Sequence, residues 1–160
     1  MDKNTTQVMF SSKSNEWATP QDFFDKLNSM YGPFTLDAAA SLDNYKVGKY
    51  YTESDDSLSK DWGNNTVFLN PPYGRKLKDW VKKAYEEGRA NSTTVVALIP
   101  ARTDTKYWHD YVMKADEILF VRGRLKFGDE TNSAPFPSAV VVFRQTPSNG
   151  QQRVTGIRRE

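Results

Sequence analysis

The organisation of this chain follows from the segment Thr66-Val67-Phe68-Leu69-Asn70-Pro71-Pro72-Tyr73-Gly74, in which an apolar run leads directly into Asn-Pro-Pro-Tyr. The apolar run predicts a buried strand at 66–69. Because proline has no amide hydrogen to donate to a sheet, the two prolines predict that this strand ends there. Open α/β sheets bind ligands at the carboxyl ends of their strands, so we expect a site at residues 70–73.

The side chains of this tetrapeptide suit a flat heterocycle that carries an amine. Asn70 offers a carbonyl acceptor, proline fixes the direction of the neighbouring backbone carbonyl groups, and Tyr73 offers an aromatic face. Taken alone, the same four residues are equally typical of an ordinary turn. Other parts of the sequence are needed to distinguish a functional site from a turn.

Composition limits the chemistry that this chain can perform. It has 160 residues, no cysteine and one histidine, which excludes cysteine nucleophiles, disulfides and cysteine-based zinc sites, and we expect no metal. With 22 Lys+Arg against 20 Asp+Glu, bulk charge does not identify a nucleic-acid binder. The sequence shows no membrane-length apolar run and no signal peptide, so we expect a soluble, cytoplasmic protein.

Short strands alternate with helices along the chain, which predicts one α/β domain with a mostly parallel sheet. We expect an irregular arm at 1–15, the domain at 16–144 and a frayed basic tail at 145–160. Thr19 is expected to cap the first helix. The predicted helices are 20–31, 77–88 and 104–114, and the predicted strands are 34–37, 66–69, 93–99, 117–121, 124–127 and 138–143.

Seven short blocks occur in one order: Glu16-Trp17-Ala18-Thr19-Pro20, Phe34-Thr35-Leu36-Asp37-Ala38-Ala39, Asp56-Ser57-Leu58 with Trp62, Asn70-Pro71-Pro72-Tyr73-Gly74-Arg75, Pro100-Ala101-Arg102-Thr103-Asp104-Thr105, Arg122-Gly123-Arg124-Leu125-Lys126-Phe127 and Ala134-Pro135-Phe136-Pro137-Ser138. Together they resemble the phage-type DNA adenine methyltransferases, Dam-like enzymes that transfer a methyl group from S-adenosylmethionine to the exocyclic amine of adenine.

The resemblance implies a fold, with one departure from it. It implies an α/β, Rossmann-like methyltransferase core, mostly parallel with an antiparallel strand that 138–143 could supply. Asp37-Ala38-Ala39-Ala40 stands where many such enzymes have a glycine-rich turn. The short interval between Asp37 and Asn70 indicates a reduced sheet.

For catalysis, the resemblance implies a loop that activates the amine of a flipped adenine. The amine is a poor nucleophile because its lone pair is delocalised into the ring. We expect the side-chain oxygen of Asn70 and the carbonyl of Pro71 to accept its hydrogens, with Pro72 keeping the loop rigid and Tyr73 stacking on the base. Replacing Asn70 with Asp should then do less harm than replacing it with Ala.

For the cofactor, S-adenosylmethionine, the resemblance implies three groups of contacts. The first is Asp37 with Ala38 and Ala39, although Asp37 could instead cap the next turn. The second is Asp56 with Leu58 beside the adenine ring, to which Asp55 belongs unless it is part of a solvated acidic cluster. The third closes over the methionine end or merely starts the first helix, and it comprises Trp17, Thr19 and Pro20.

The partner that the resemblance implies is double-stranded DNA, in a bacterial host cell if a phage encodes the chain. Candidate DNA-binding residues are Arg75, Arg102, Arg122, Arg124 and Lys126, for which a solvated surface is the competing interpretation. A homodimer could grip the duplex. The same loop would also serve a methyltransferase of RNA or of a protein glutamine, and an inactive nucleic-acid-binding module could keep this fold.

Overall fold

A computed structural model describes residues 17–90, 92–128, 133–144 and 151–160. The helices are α1 (Gln21–Tyr31), α2 (Leu77–Gly88) and α3 (Lys106–Asp110), with short 3-10 turns at Glu53–Asp55, Ser57–Ser59 and Val112–Lys114. The strands are β1 (Leu36–Asp37), β2 (Thr66–Leu69), β3 (Thr94–Pro100), β4 (Glu117–Val121), β5 (Ser138–Arg144) and β6 (Arg153–Ile157). Among the described residues, no helix is long and apolar enough to span a bilayer.

The described strands form one six-stranded sheet in the order β1-β2-β3-β5-β4-β6. Strands β1, β2 and β3 are parallel, and β6 is parallel to β4. Strand β5 runs antiparallel to both β3 and β4, which confirms the mixed sheet and the antiparallel strand expected at 138–143. All strands except β5 therefore end at the same edge of the sheet, and we call this edge the carboxyl edge.

The centre of the sheet explains why its strands read as continuous apolar runs. Strands β3 and β5 pair over seven residues, from Thr94 opposite Arg144 to Pro100 opposite Ser138. Helix α2 packs against both strands, and the side chains on both faces of these strands are buried, so period-two alternation disappears. Helix α1 packs below β2 through Phe24, whose ring meets that of Phe68 edge to face at 5.0 Å.

The structure confirms the first helix to within one residue but corrects its predicted cap, and it shortens the third helix. Helix α1 begins after Pro20, and Thr19 does not cap it, since the Thr19 hydroxyl accepts a hydrogen bond from Asn70 instead. The helix predicted at 104–114 is shorter, because Thr105 caps α3 by accepting from the backbone of Trp108 and the helix ends at Asp110.

The C-terminal predictions were also wrong in part. Residues 124–127 form no strand, although the exposed Arg124 and Lys126 alternate with the buried Leu125 and Phe127. The tail predicted at 145–160 contains β6, which pairs with β4 and buries Ile157. This pairing joins residues more than 30 positions apart, so the local sequence pattern does not report it. Residues 1–15 and 145–150 lie outside the described residues.

Candidate active site

A cavity of about 290 Å³ opens at the carboxyl ends of β1 and β2. Its walls come from residues 17–19, from parts of the 37–46 and 51–58 connections, from Asn70 to Pro72, and from Lys76 and Trp80. Its volume is close to the lower bound of roughly 300 Å³ for small-molecule sites. The predicted strand-end loop thus forms one wall of a cavity that is open to solvent, and it is not an isolated surface turn.

Most of the predicted cofactor residues and part of the predicted catalytic loop meet here. The lining includes Trp17, Thr19, Asp37, Ala38, Ala39, Asp56, Leu58, Asn70, Pro71 and Pro72. Pro20, Asp55 and Tyr73 are not among the lining residues. Pro20 immediately precedes α1, which agrees with the helix-start interpretation of this residue.

Asp55 has a structural role that the sequence left open. Its carboxylate accepts hydrogen bonds from the backbone nitrogen of Thr52 at 2.7 Å and from the Thr52 hydroxyl at 3.1 Å. These bonds lower the pKa of Asp55 and cap the 3-10 turn at Glu53–Asp55. The cofactor contact predicted for Asp55 is therefore not supported, whereas Asp56 lies on the cavity wall.

The orientation of the Asn70 carboxamide is set by three partners. Its Nδ2 group donates to the Thr19 hydroxyl at 2.9 Å and to the backbone carbonyl of Trp17. Its Oδ1 accepts a hydrogen bond of 3.0 Å from the Tyr73 hydroxyl. Both amide hydrogens are thus bound within the protein. The remaining acceptor capacity of Oδ1 is what Asn70 can offer to a ligand.

Tyr73 is buried beside the cavity and does not face it. Its side chain is 6% exposed, and its hydroxyl also lies 3.2 Å from the carbonyl of Leu98. The ring meets Phe136 edge to face at 5.4 Å and lies within a cluster that also includes Trp17 and Phe127. Burial raises the pKa of Tyr73. The ring is packed among these aromatic side chains and its hydroxyl orients Asn70, so stacking of this ring on a base stays a prediction.

Asp37 combines a place on the cavity wall with a role in shaping the loop that follows β1. Its two carboxylate oxygens accept hydrogen bonds from the backbone nitrogens of Ala39, at 3.3 Å, and Lys46, at 3.0 Å. The residue is 2% exposed, and burial raises its pKa to about 6 although these bonds oppose the shift. Asp37 therefore caps the loop that follows β1, and it also lies on the cavity wall, where the predicted ligand contact stays a prediction.

The sequence did not identify several residues of the lining, most of which belong to the 44–62 segment, where no clear period is present. They include Lys46, Tyr51, Thr52, Glu53, Lys76 and Trp80. Among the described lining residues, carboxylates come from Asp37, Glu53 and Asp56, whereas Lys46 and Lys76 supply ammonium groups. Leu58 and Trp80 add apolar surface. Such a lining suits a ligand with a flat ring and more positive than negative groups.

The candidate DNA-binding residues lie outside the cavity. Arg75, Arg102, Arg122, Arg124 and Lys126 are all exposed. Arg75 follows β2, Arg102 follows β3 and Arg122 follows β4, so these three arginines share the carboxyl edge with Asn70. The guanidinium of Arg124 donates to the carbonyl of Ala134 at 3.2 Å, so part of its hydrogen-bonding capacity holds two loops together.

The family model and the two phage relatives that this chain matches carry the same description. Residues 6–155 match the family model described as DNA N-6-adenine-methyltransferase (Dam). The chain is 36% identical over 110 residues to a DNA N-6-adenine-methyltransferase of Escherichia phage T1, covering 68% of this chain and 45% of that protein. It is 30% identical over 150 residues to a protein of the same name from Haemophilus phage HP1, covering 89% and 84% respectively. The chain thus spans less than half of the T1 relative.

Proposed function

Since this chain belongs to the DNA N-6-adenine-methyltransferase family, we propose that it transfers a methyl group from S-adenosylmethionine to the N6 amine of an adenine in double-stranded DNA. The observation that carries this proposal is the orientation of Asn70. Because Thr19 and Trp17 hold its amide hydrogens, the carboxamide presents an acceptor to the cavity, as an amine substrate requires.

Acceptors at this position would make the adenine amine more nucleophilic. We propose that Oδ1 of Asn70 and the backbone carbonyl of Pro71 each accept one amine hydrogen. This arrangement favours a tetrahedral nitrogen, whose lone pair is no longer delocalised into the ring and can attack a methyl group. The bond from nitrogen to methyl would form as the bond from methyl to sulfur breaks, with the electron pair left on sulfur, and the nitrogen would then lose one proton to water. The target base must leave the duplex to reach the cavity, at a cost of a few kcal/mol.

The charges and the apolar surface of the cavity suit S-adenosylmethionine. Asp37 and Glu53 suit its ammonium and sulfonium groups, and Asp56 suits its adenosine part, with Leu58 and Trp80 beside the adenine ring. When bound, this cofactor supplies a methyl group that is already activated, so the protein needs no covalent nucleophile. The remaining contribution of the chain is to position the two reactants and to accept hydrogen bonds.

The two phage relatives carry the name of a DNA enzyme, and we propose that this chain likewise works in the cytoplasm of a bacterial host. The DNA sequence that it recognises is not part of this proposal.

No glycine-rich turn follows β1, so we propose that the Asp37-Ala38-Ala39 backbone contacts the methionine end of the cofactor instead.

The test is methyl transfer from labelled S-adenosylmethionine by the wild type and by Asn70→Ala, with duplex DNA, RNA and protein as parallel substrates. We expect N6-methyladenine in DNA, and a rate about a hundredfold lower for Asn70→Ala, a loss on the order of 3 kcal/mol. Cofactor affinity, measured by calorimetry, should change little. A folded Asn70→Ala variant with the wild-type rate, or wild-type label found only in RNA or protein, would contradict the proposal. Absence of saturable cofactor binding would indicate an inactive module.

A further inference from the structure

The last described segment of the chain brings two arginines to the carboxyl edge. Strand β6 is parallel to β4, with Val121 paired to Ile157. Arg122 and Arg158 therefore follow directly on adjacent strands, and the backbone nitrogen of Arg122 donates to the carbonyl of Ile157 at 2.8 Å. Because β4 and β2 run in the same direction, these two arginines lie at the same edge as Asn70.

This C-terminal segment is anchored on two sides. Lys26 of α1 donates to the carbonyl of Arg158 at 2.9 Å and to that of Glu160 at 2.8 Å. The guanidinium of Arg159 donates to the carbonyl of Arg124 at 3.0 Å and lies over Gly123. The contacts fix the backbone that carries Arg158 beside the 122–128 loop, so its side chain projects from a defined position.

The guanidinium groups of Arg122 and Arg158 can bind a ligand. Arg122 and Arg158 are both exposed, and neither guanidinium has a hydrogen-bond or ion-pair partner within the part of the chain that the structure describes. Arg159, by contrast, is engaged with the 122–124 backbone. The backbones of Arg122 and Arg158 are neighbours, and each guanidinium has the planar geometry that binds two phosphate oxygens at once.

The distance between the cavity and these two arginines would allow one DNA duplex to contact both. Four neighbouring-strand steps separate β2 from β6, and at about 4.8 Å each they span roughly 19 Å. Along one DNA strand that distance corresponds to about six nucleotides, at roughly 3.4 Å each. The 122–128 loop bridges part of the gap, since the backbone nitrogen of Gly128 donates to the carbonyl of Ala18 at 2.7 Å on the cavity wall.

We propose that Arg158 and Arg122 form a phosphate-binding pair that holds the DNA backbone several nucleotides from the adenine in the cavity. This inference rests on the proposed function. Cofactor binding at β1 and β2 and backbone binding at β4 and β6 then occupy opposite halves of the carboxyl edge, and Asn70 lies in the first half, at the end of β2. The contact is to phosphate, so it strengthens binding to every DNA sequence and selects none.

The test measures the affinity for a duplex oligonucleotide as a function of salt concentration for Arg158→Gln and Arg122→Gln. Each lost phosphate contact should reduce the slope of log K against log salt by about 0.9, which corresponds to about eightfold weaker binding at 0.1 M salt. The matched control is Arg153→Gln, because Arg153 is also exposed but begins β6 at the opposite end, roughly 16 Å away. It should keep the wild-type slope.

Further measurements separate this inference from the proposed function. Cofactor affinity and the midpoint of urea unfolding should be unchanged in both variants, and Asn70→Ala should bind DNA with the full wild-type slope. A wild-type slope and affinity in Arg158→Gln would overturn the inference while methylation by the wild type still supports the function. Equal losses in Arg153→Gln would also overturn it, since they would indicate bulk charge. Failure of the wild type to methylate DNA would reject the function itself.

Discussion

The hydroxyl of Tyr73 donates a hydrogen bond of 3.0 Å to Oδ1 of Asn70, within the same loop. On the other side of the carboxamide, Nδ2 is bound by Thr19 and Trp17, which precede it by about fifty residues. A side chain held from both ends cannot rotate to exchange its oxygen for its amide group. The acceptor oxygen of Asn70 is therefore oriented before the substrate binds. Catalysis by positioning of the reactants requires this kind of preorganisation.

Replacing Tyr73 with Phe keeps the buried ring and removes only the hydroxyl. We expect the methyl-transfer rate to fall about fivefold, because one hydrogen bond that orients Asn70 contributes about 1 kcal/mol. Single-turnover rates should show this change without a change in cofactor affinity. If the ring acted by stacking on the base, Tyr73→Phe would be nearly neutral, and such a result would contradict the orienting role.

Replacing Asn70 with Asp tests a point on which structure and sequence disagree. From the sequence, a carboxylate still accepts hydrogen bonds and should do less harm than Ala. In the structure, Nδ2 of Asn70 donates to the carbonyl of Trp17, and a carboxylate would place an oxygen against that carbonyl. We expect Asn70→Asp to be as slow as Asn70→Ala, about a hundredfold below wild type, and less stable than wild type to urea. An Asp variant tenfold faster than the Ala variant would favour the simpler acceptor argument.

The parts of this protein that sequence predicts are those set by local patterns. Strand 66–69 and helix 77–88 were confirmed because apolar periodicity and proline stops act within a few residues. Strand β6 was missed because its partner is β4, and no alternation within 153–157 announces that pairing. The burial of Tyr73 was missed because it depends on Phe127 and Phe136, which approach only in the folded chain.

The same distinction holds at the site. Asp37 and Asn70 could be found from strand ends, because the parallel sheet brings those ends together. Lys46 and Trp80 could not, since nothing in the irregular 44–62 segment indicates a cavity wall, and Trp80 reads simply as part of the apolar face of the predicted helix. A residue type marks a site only when the backbone around it is itself predictable.

Cofactor affinity should depend on the protonation of Asp37, whose pKa burial raises to about 6. A cationic cofactor favours the ionised carboxylate, so we expect the dissociation constant to rise as pH falls from 7 to 5. Binding at pH 6 should release protons, which calorimetry in buffers of different ionisation enthalpy would detect. If the affinity did not change between pH 7 and pH 5, this result would show that Asp37 does not face the positive groups of the cofactor.

The stability of the cofactor-free protein should have the opposite dependence. The folded-state pKa of Asp37, about 6, lies above the ordinary aspartate pKa of 3.8, so between these two pH values the folded state binds more protons than the unfolded state. The contribution of this group to stability is thus fully present below about pH 4 and is lost as pH rises towards 6. Urea unfolding of the wild type and Asp37→Asn over this range should isolate it, because the variant cannot titrate there.

Gly88 should tolerate no side chain, although it ends a helix where alanine would ordinarily be favourable. A Cβ atom there would lie 2.5 Å from the Cβ and 2.8 Å from the carbonyl oxygen of Phe143, in the middle of the covered sheet. Overpacking of this kind costs about 1–3 kcal/mol, and alanine in a helix recovers at most about 1 kcal/mol. We therefore expect Gly88→Ala to lower the free energy of unfolding measured in urea. The matched control is Gly48→Ala, where no atom lies within 4 Å of the added Cβ and stability should be unchanged or slightly higher. Equal stability of the two variants would mean that α2 can move away from β5 without cost, which the close packing of the core argues against.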